Sequence, residues 1–141
     1  MAFFLPFNIY NKIYFMAAGR YSFVIEQGAT LNLELQYKDA SGNPIDLTDY
    51  SGRMQIRPSV TSNTVYITLS SSLDIDGTGL NFSGSNGTTP PTSGSIGVYI
   101  SADSSSALNF DQAVYDLEIY SGSYVSRILE GQVKLSLNVT R

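Results

Sequence analysis

The feature that most restricts this chain is an apolar alternation with a period of two, which recurs between residues 21 and 139. Its plainest example spans residues 29–37. Leu31, Leu33, Leu35 and Tyr37 fall on one side, and Thr30, Asn32, Glu34 and Gln36 on the other. Successive side chains of a β-strand point to opposite faces, so this pattern describes a strand with one face on a core and one on solvent. A helix would need apolar residues at every third or fourth position, and no long segment supplies them.

The pattern repeats with turn formers between its copies. Residues 21–26 read as a first strand, which Gln27-Gly28 breaks. In residues 50–57, Gly52, Met54 and Ile56 share one face and Arg53, Gln55 and Arg57 the other, and Pro58 ends the strand or places it at an edge. Val65, Ile67 and Leu69 mark another strand, with Tyr66 on the opposite face, and residues 80–82 a short weak one. Ile96, Val98 and Ile100 follow, then Tyr115, Leu117 and Ile119, alternating with Asp116, Glu118 and Tyr120. The longest alternation runs through Val125, Arg127, Leu129, Gly131, Val133, Leu135, Leu137 and Val139, with a kink expected at Gly131.

Between the strands, residues 38–44 are dense in Asp, Ser, Gly, Asn and Pro and predict a reversal. Residues 83–94 hold no large apolar side chain and read as the most flexible surface loop, or as one ordered by a partner. Residues 102–109 have room for one helical turn, N-capped by Ser101 or Asp103, with Ala107 and Leu108 inward. The expectation is an all-β chain, an immunoglobulin-like β-sandwich of about 7–9 antiparallel strands, with a small closed barrel as the alternative. Residues 20–141 are expected to form this single domain, preceded by an extension over residues 1–19.

That extension carries Phe3, Phe4 and Phe7, then Tyr14 and Phe15 in a second apolar patch. Asn8, Asn11 and Lys12 interrupt it, so it is too broken to span a bilayer, and it lacks the basic start and unbroken apolar stretch of a secretory signal. Two readings stand. Either Met16 is the initiator, or the aromatics of this segment form an arm that inserts into a neighbouring subunit.

Composition limits the chemistry. The 141 residues include no His and no Cys, which removes the Ser-His-Asp triad, thiol nucleophiles, disulfides and the usual zinc ligands. Only 14% of residues are charged and the net charge is -4, with the eight basic residues scattered along the chain. Nucleic-acid binding needs clustered cations, so it is not expected. Leu73-Asp-Ile-Asp-Gly-Thr-Gly79 has the alternate carboxylates of a calcium loop, but the twelfth position counted from Asp74 holds Ser85 instead of Glu, and a turn capped by Asp is the plainer reading. No metal and no cofactor is expected.

Residues suited to contact remain. Arg53 and Arg57 on one strand face Asp116 and Glu118 on another as cross-strand pairs or as a subunit interface. Tyr66, Tyr99, Tyr120 and Tyr124 could make an aromatic platform for sugars, or cover sheet edges and interfaces.

Several runs resemble small virion structural proteins of tailed bacteriophages, including those of cyanobacteria. They are Phe23-Val-Ile-Glu-Gln-Gly-Ala-Thr-Leu-Asn-Leu, Asp39-Ala-Ser-Gly-Asn-Pro-Ile-Asp-Leu-Thr-Asp-Tyr50, Arg53-Met-Gln-Ile-Arg57, Val114-Tyr-Asp-Leu-Glu-Ile119 and Arg127-Ile-Leu-Glu-Gly-Gln-Val133. The turn at residues 39–48 is also similar, more distantly, to one in the Ig-like N-terminal domain of phage baseplate upper proteins. The resemblance covers residues 21–141 apart from residues 83–94. It implies a non-enzymatic virion protein of the tail or baseplate, or a capsid decoration protein, present in many copies, with other virion proteins as partners and no membrane or nucleic acid. It supplies no catalytic residues. A carbohydrate- or surface-binding sandwich is the competing reading.

Overall fold

A computed structural model describes residues 4–5, 12–15 and 19–140, with side chains from Gly19 onward. Its strands are β1 (Phe4–Leu5), β2 (Lys12–Phe15), β3 (Gly19–Arg20), β4 (Phe23–Glu26), β5 (Leu31–Tyr37), β6 (Ser51–Arg57), β7 (Ile67–Ser70), β8 (Gly79–Asn81), β9 (Ser95–Ile100), β10 (Gln112–Ser121) and β11 (Tyr124–Ser136). One short helix, α1 (Ala102–Ser106), follows β9, and a 3-10 turn occupies Pro91–Ser93. The chain is mainly β, as expected, and forms two sheets. One has the order β1-β2-β5-β9-β8, and the other β3-β11-β10-β6-β7, with β4 also paired to β11.

The inward residues of the two sheets make one core. Leu35, Leu80, Ile96, Val98 and Ile100 come from the first sheet, and Ile25, Met54, Ile56, Leu69, Leu117, Leu129 and Leu135 from the second. Each is essentially inaccessible to solvent, and burying such a side chain contributes about 1.5–3 kcal/mol. The alternations at residues 51–57, 96–100 and 115–119 hold as read from the sequence.

The expectation of antiparallel strands is corrected at three pairings. Strands β3 and β4 run parallel to β11, and β2 parallel to β5. Before the chain crosses at residues 27–30 from the second sheet to the first, β3 and β4 lie beside β11 in the same direction. Apolar alternation reports which face is buried but carries no strand direction. Eleven strands are present among the described residues, more than the expected number, because β1, β2 and β3 lie in or beside the extension.

Strand β11 departs from its sequence reading. The ladder pairs Leu117 with Leu129 but Glu118 with Arg127, which leaves Ile128 as an extra residue in a β-bulge. Ile128 and Leu129 are both buried, and the alternation changes phase there. Val125 therefore points to solvent, and Leu137 and Val139, beyond the end of β11, are exposed as well. The irregularity is at Ile128, and Gly131 has a different duty. A Cβ built at Gly131 would lie 1.9 Å from the Tyr21 carbonyl oxygen, so only glycine admits the backbone between β3 and β4 at that crossing.

Tyr115 fastens the same crossing. Its hydroxyl donates to the Tyr21 carbonyl at 2.6 Å, and its ring meets Phe23 edge to face. Burial raises the Tyr115 phenol well above its ordinary value, with smaller contributions from Tyr21 and Glu130. The stability tied to this neutral phenol is complete below the unfolded pKa of about 10 and is lost as pH rises toward the folded value. Tyr115→Phe removes one hydrogen bond and is expected to cost about 1 kcal/mol at neutral pH. Urea titrations from pH 8 to 11 check both: stability falls above pH 10 in the parent and falls less in Tyr115→Phe.

Smaller corrections follow from packing. Tyr66 turns inward and stacks on Phe110 at 4.6 Å between centroids. Pro58 ends β6, which lies between β10 and β7 and is not an edge. Helix α1 is N-capped by Ser101, whose side chain accepts from the Ser104 amide. Leu108 is buried, but Ala107 is exposed, and Ser105 takes the inward place by bonding Gly28 and Ala29. Gln36, read as solvent-facing, is buried and bonds the Ser93 carbonyl and the Ser95 hydroxyl. The 83–94 loop is fastened by its own chain. Glu34 accepts from the amide and hydroxyl of Ser85, and the Leu47 amide donates to the Pro91 carbonyl.

Candidate interaction surface

Register places the outward residues of β6, β10 and β11 in rows across one sheet. Arg53 stands opposite Glu118, and Glu118 opposite Arg127. One step along, Arg20 stands opposite Glu130, and Glu130 opposite Asp116. The contacts follow the rows and their diagonals. Arg53 Nε meets Glu118 Oε1 at 2.8 Å, and Arg20 Nη2 meets Glu130 Oε2 at 2.9 Å. Arg127 lies between Asp116 at 3.8 Å and Glu130 at 3.7 Å. The Arg53 guanidinium also sits over the Tyr120 ring, 4.7 Å from its centroid.

The expected pairing of Arg53 with Glu118 is present, whereas Arg57 pairs with neither carboxylate. Register sets Arg57 opposite Val114, two residues before Asp116. Its guanidinium bonds Gln55 Oε1 at 2.6 Å and the Ser62 carbonyl at 2.7 Å, which ties the 58–64 loop to the sheet. Arg53, Arg57, Val60, Asp116, Glu118 and Arg127 line a concavity of about 450 Å³. Val60 stands at its rim, 87% exposed.

Asp116 is the strained member of this surface. Its carboxyl is raised above the ordinary range, first by partial burial and then by the nearby Glu118 charge, with Arg127 acting in the opposite sense. A raised carboxyl opposes folding where it must ionise, so its contribution is favourable below the unfolded value and is lost as pH rises through the folded one. Asp116→Asn is accordingly expected to leave the melting temperature unchanged or slightly higher at pH 7, within about 0.5 kcal/mol after solvent screening. Thermal unfolding by circular dichroism measures it.

Arg20, Arg127 and Glu130 were not singled out from the sequence. Arg127 and Glu130 are three residues apart, so a regular strand would put them on opposite faces. The bulge at Ile128 brings them to the same face. The adjacent apolar pair Ile128-Leu129 is the signal in the sequence that marks it. The basic residues, scattered along the chain, are gathered by the fold: four arginines and three carboxylates, seven of the chain's twenty charged residues, share this one surface.

The four tyrosines do not form one platform. Tyr120 belongs to the charged surface, Tyr124 packs edge-on against Tyr50, Tyr66 faces the core, and Tyr99 lies on β9 in the other sheet. Phe3 and Phe7 lie outside the described residues. Phe4, Tyr14 and Phe15 lie in strands β1 and β2, and their side chains are outside the description.

The Asp74 to Gly79 turn is capped as expected. Asp76 Oδ1 accepts from the Thr78 amide at 3.0 Å, and Oδ2 from the hydroxyls of Ser101 at 2.5 Å and Ser104 at 3.0 Å. The Ser101 hydroxyl, then Thr78, hold the Asp76 carboxyl well below the usual carboxylate range. Among the described residues no group of three or more carboxylates is placed to hold a metal, and no helix is long and apolar enough to cross a membrane.

No family model and no curated protein matches this chain. The functional reading therefore rests on its own geometry and on the resemblance of its strand and turn segments.

Proposed function

We propose that this chain is a non-enzymatic structural or adaptor protein of a tailed-phage virion, located in the tail or baseplate and present in many copies. The observation that carries this reading is the lattice of alternating charges on the outer face of β6, β10 and β11. A patch that carries both four guanidinium groups and three carboxylates offers the mixed charges that an isologous contact between copies requires, and opposite charges at matching positions set register and reject other partners. The segments that resemble virion proteins at residues 53–57, 114–119 and 127–133 are the ones that build this face.

The strand order supports an immunoglobulin-like sandwich. Strands β5, β9 and β8 oppose β11, β10 and β6, in the arrangement of the B, E, D and G, F, C strands of that fold, with β7 as an added edge. Strand β4 beside β11 in parallel fits the same scheme.

Mass spectrometry of purified particles from the phage that encodes the chain tests the proposal. It is expected in tail or baseplate fractions at multiple copies per particle. Absence from the particles overturns the reading, and recovery only with tail-less heads replaces tail or baseplate by capsid decoration.

A further inference from the structure

The outer face of the other sheet differs in kind. On β5, β9 and β8 the outward positions form two rows, Asn32 beside Tyr99 beside Gly79, and Glu34 beside Gly97 beside Asn81. The 73–77 turn and the 83–87 turn rise on either side, and the floor between them is a pocket of about 300 Å³ lined by Asn32, Asp76, Gly77, Asn81 and Tyr99 among others. Among the described residues no lysine or arginine lines it.

From this geometry we infer a binding subsite for a neutral saccharide, built by Tyr99, Asn32, Asn81 and Asp76. Tyr99 supplies a half-buried ring with a polar tip, the amphipathic surface that the C–H face of a pyranose ring needs. Gly77 keeps its flank clear, since a Cβ there would come within 3.4 Å of Tyr99 Cε2. The Asn32 carboxamide makes no hydrogen bond among the described residues. The Asn81 carboxamide spends its oxygen on the Ser83 amide at 2.8 Å and leaves its NH₂ group available. A carboxamide offers donors and acceptors in one plane, which matches sugar hydroxyls that both donate and accept.

Asp76 adds a fixed acceptor. Ser101, Ser104 and the Thr78 amide hold its carboxylate in place and ionised before any ligand arrives, so a hydroxyl that donates to it orders nothing new. That carboxylate, with no cation among the described residues of the lining, repels phosphates, uronic acids and sialic acids. The ligand class is therefore uncharged. This inference is independent of the proposed place in the virion, because it concerns the opposite face.

The test is ¹H–¹⁵N correlation NMR on the full chain with glucose, galactose, mannose and N-acetylglucosamine at up to about 50 mM, a range suited to weak single-sugar binding. An array of neutral oligosaccharides extends the search. At least one neutral glycan is expected to shift the side-chain amides of Asn32 and Asn81 and the backbone of Tyr99. Glucuronate and glucose 6-phosphate are expected to bind at least about tenfold more weakly. Tyr99→Ala is expected to weaken binding by about tenfold or more, and Asn32→Ala, an exposed substitution that leaves the fold intact, to weaken it measurably. The inference is overturned if no neutral glycan binds, if the shifts fall elsewhere, if anionic sugars bind equally well, or if folded Asn32→Ala binds like the parent.

Discussion

Gly131→Ala is expected to destabilise the protein by about 3–5 kcal/mol, at the upper end of what a single substitution does. The added Cβ would stand 1.9 Å from the Tyr21 carbonyl oxygen and 3.1 Å from Tyr115 Cε1. Backbone on one side and a buried ring on the other leave no flexible group to yield. Tyr21 would have to withdraw from β11, breaking its amide bond to the Glu130 carbonyl at 3.0 Å and the Tyr115 hydroxyl bond at 2.6 Å. A domain of this size has roughly 5–15 kcal/mol in total, so a large part would go. Urea denaturation gives the value. A loss below about 1 kcal/mol would mean that the crossing relaxes freely.

The second large effect separates two neighbours on β11. Ile128→Ala is expected to cost about 2–4 kcal/mol, because Ile128 is fully buried and its removal leaves a cavity between the sheets. Val125→Ala is expected to change stability by no more than about 0.5 kcal/mol, since Val125 is 48% exposed. Plain alternation along the strand assigns these roles the other way round. Denaturation midpoints of the two variants therefore locate the bulge, and equal losses would place the change of phase elsewhere.

The two outer faces give the molecule two different surfaces. One is a lattice of paired charges in which Asp116 is held at a cost, and the other is a pocket around Tyr99 whose described lining holds one carboxylate, Asp76, and no cation. Ion pairs as exposed as these add little to the stability of the isolated chain.

Much of this was legible in the sequence, and the reason is local. Alternation identified the inward faces of residues 51–57, 96–100 and 115–119, and turn chemistry located the reversals and narrowed the helix cap to Ser101 or Asp103, of which the structure uses Ser101. These depend on neighbouring residues only, through the two-residue period of a strand and the hydrogen bonds of a cap. Arg53 with Glu118 followed from the same faces. Arg57 did not, because partners are set by register, and register is a relation between strands distant in sequence.

What only the tertiary structure decided shares that cause. The parallel start beside β11, the role of Gly131, the bulge that brings Arg127 and Glu130 together, and the pocket between two turns over Tyr99 each join residues far apart in the chain. The amino-acid sequence by itself determined that the chain is β-rich, poor in charge, without His or Cys, and which sides of most strands face inward. Which charges meet, and what the outward sides can bind, depended on how the strands pair across the sheets, because an outward residue acquires a partner only through its cross-strand neighbours.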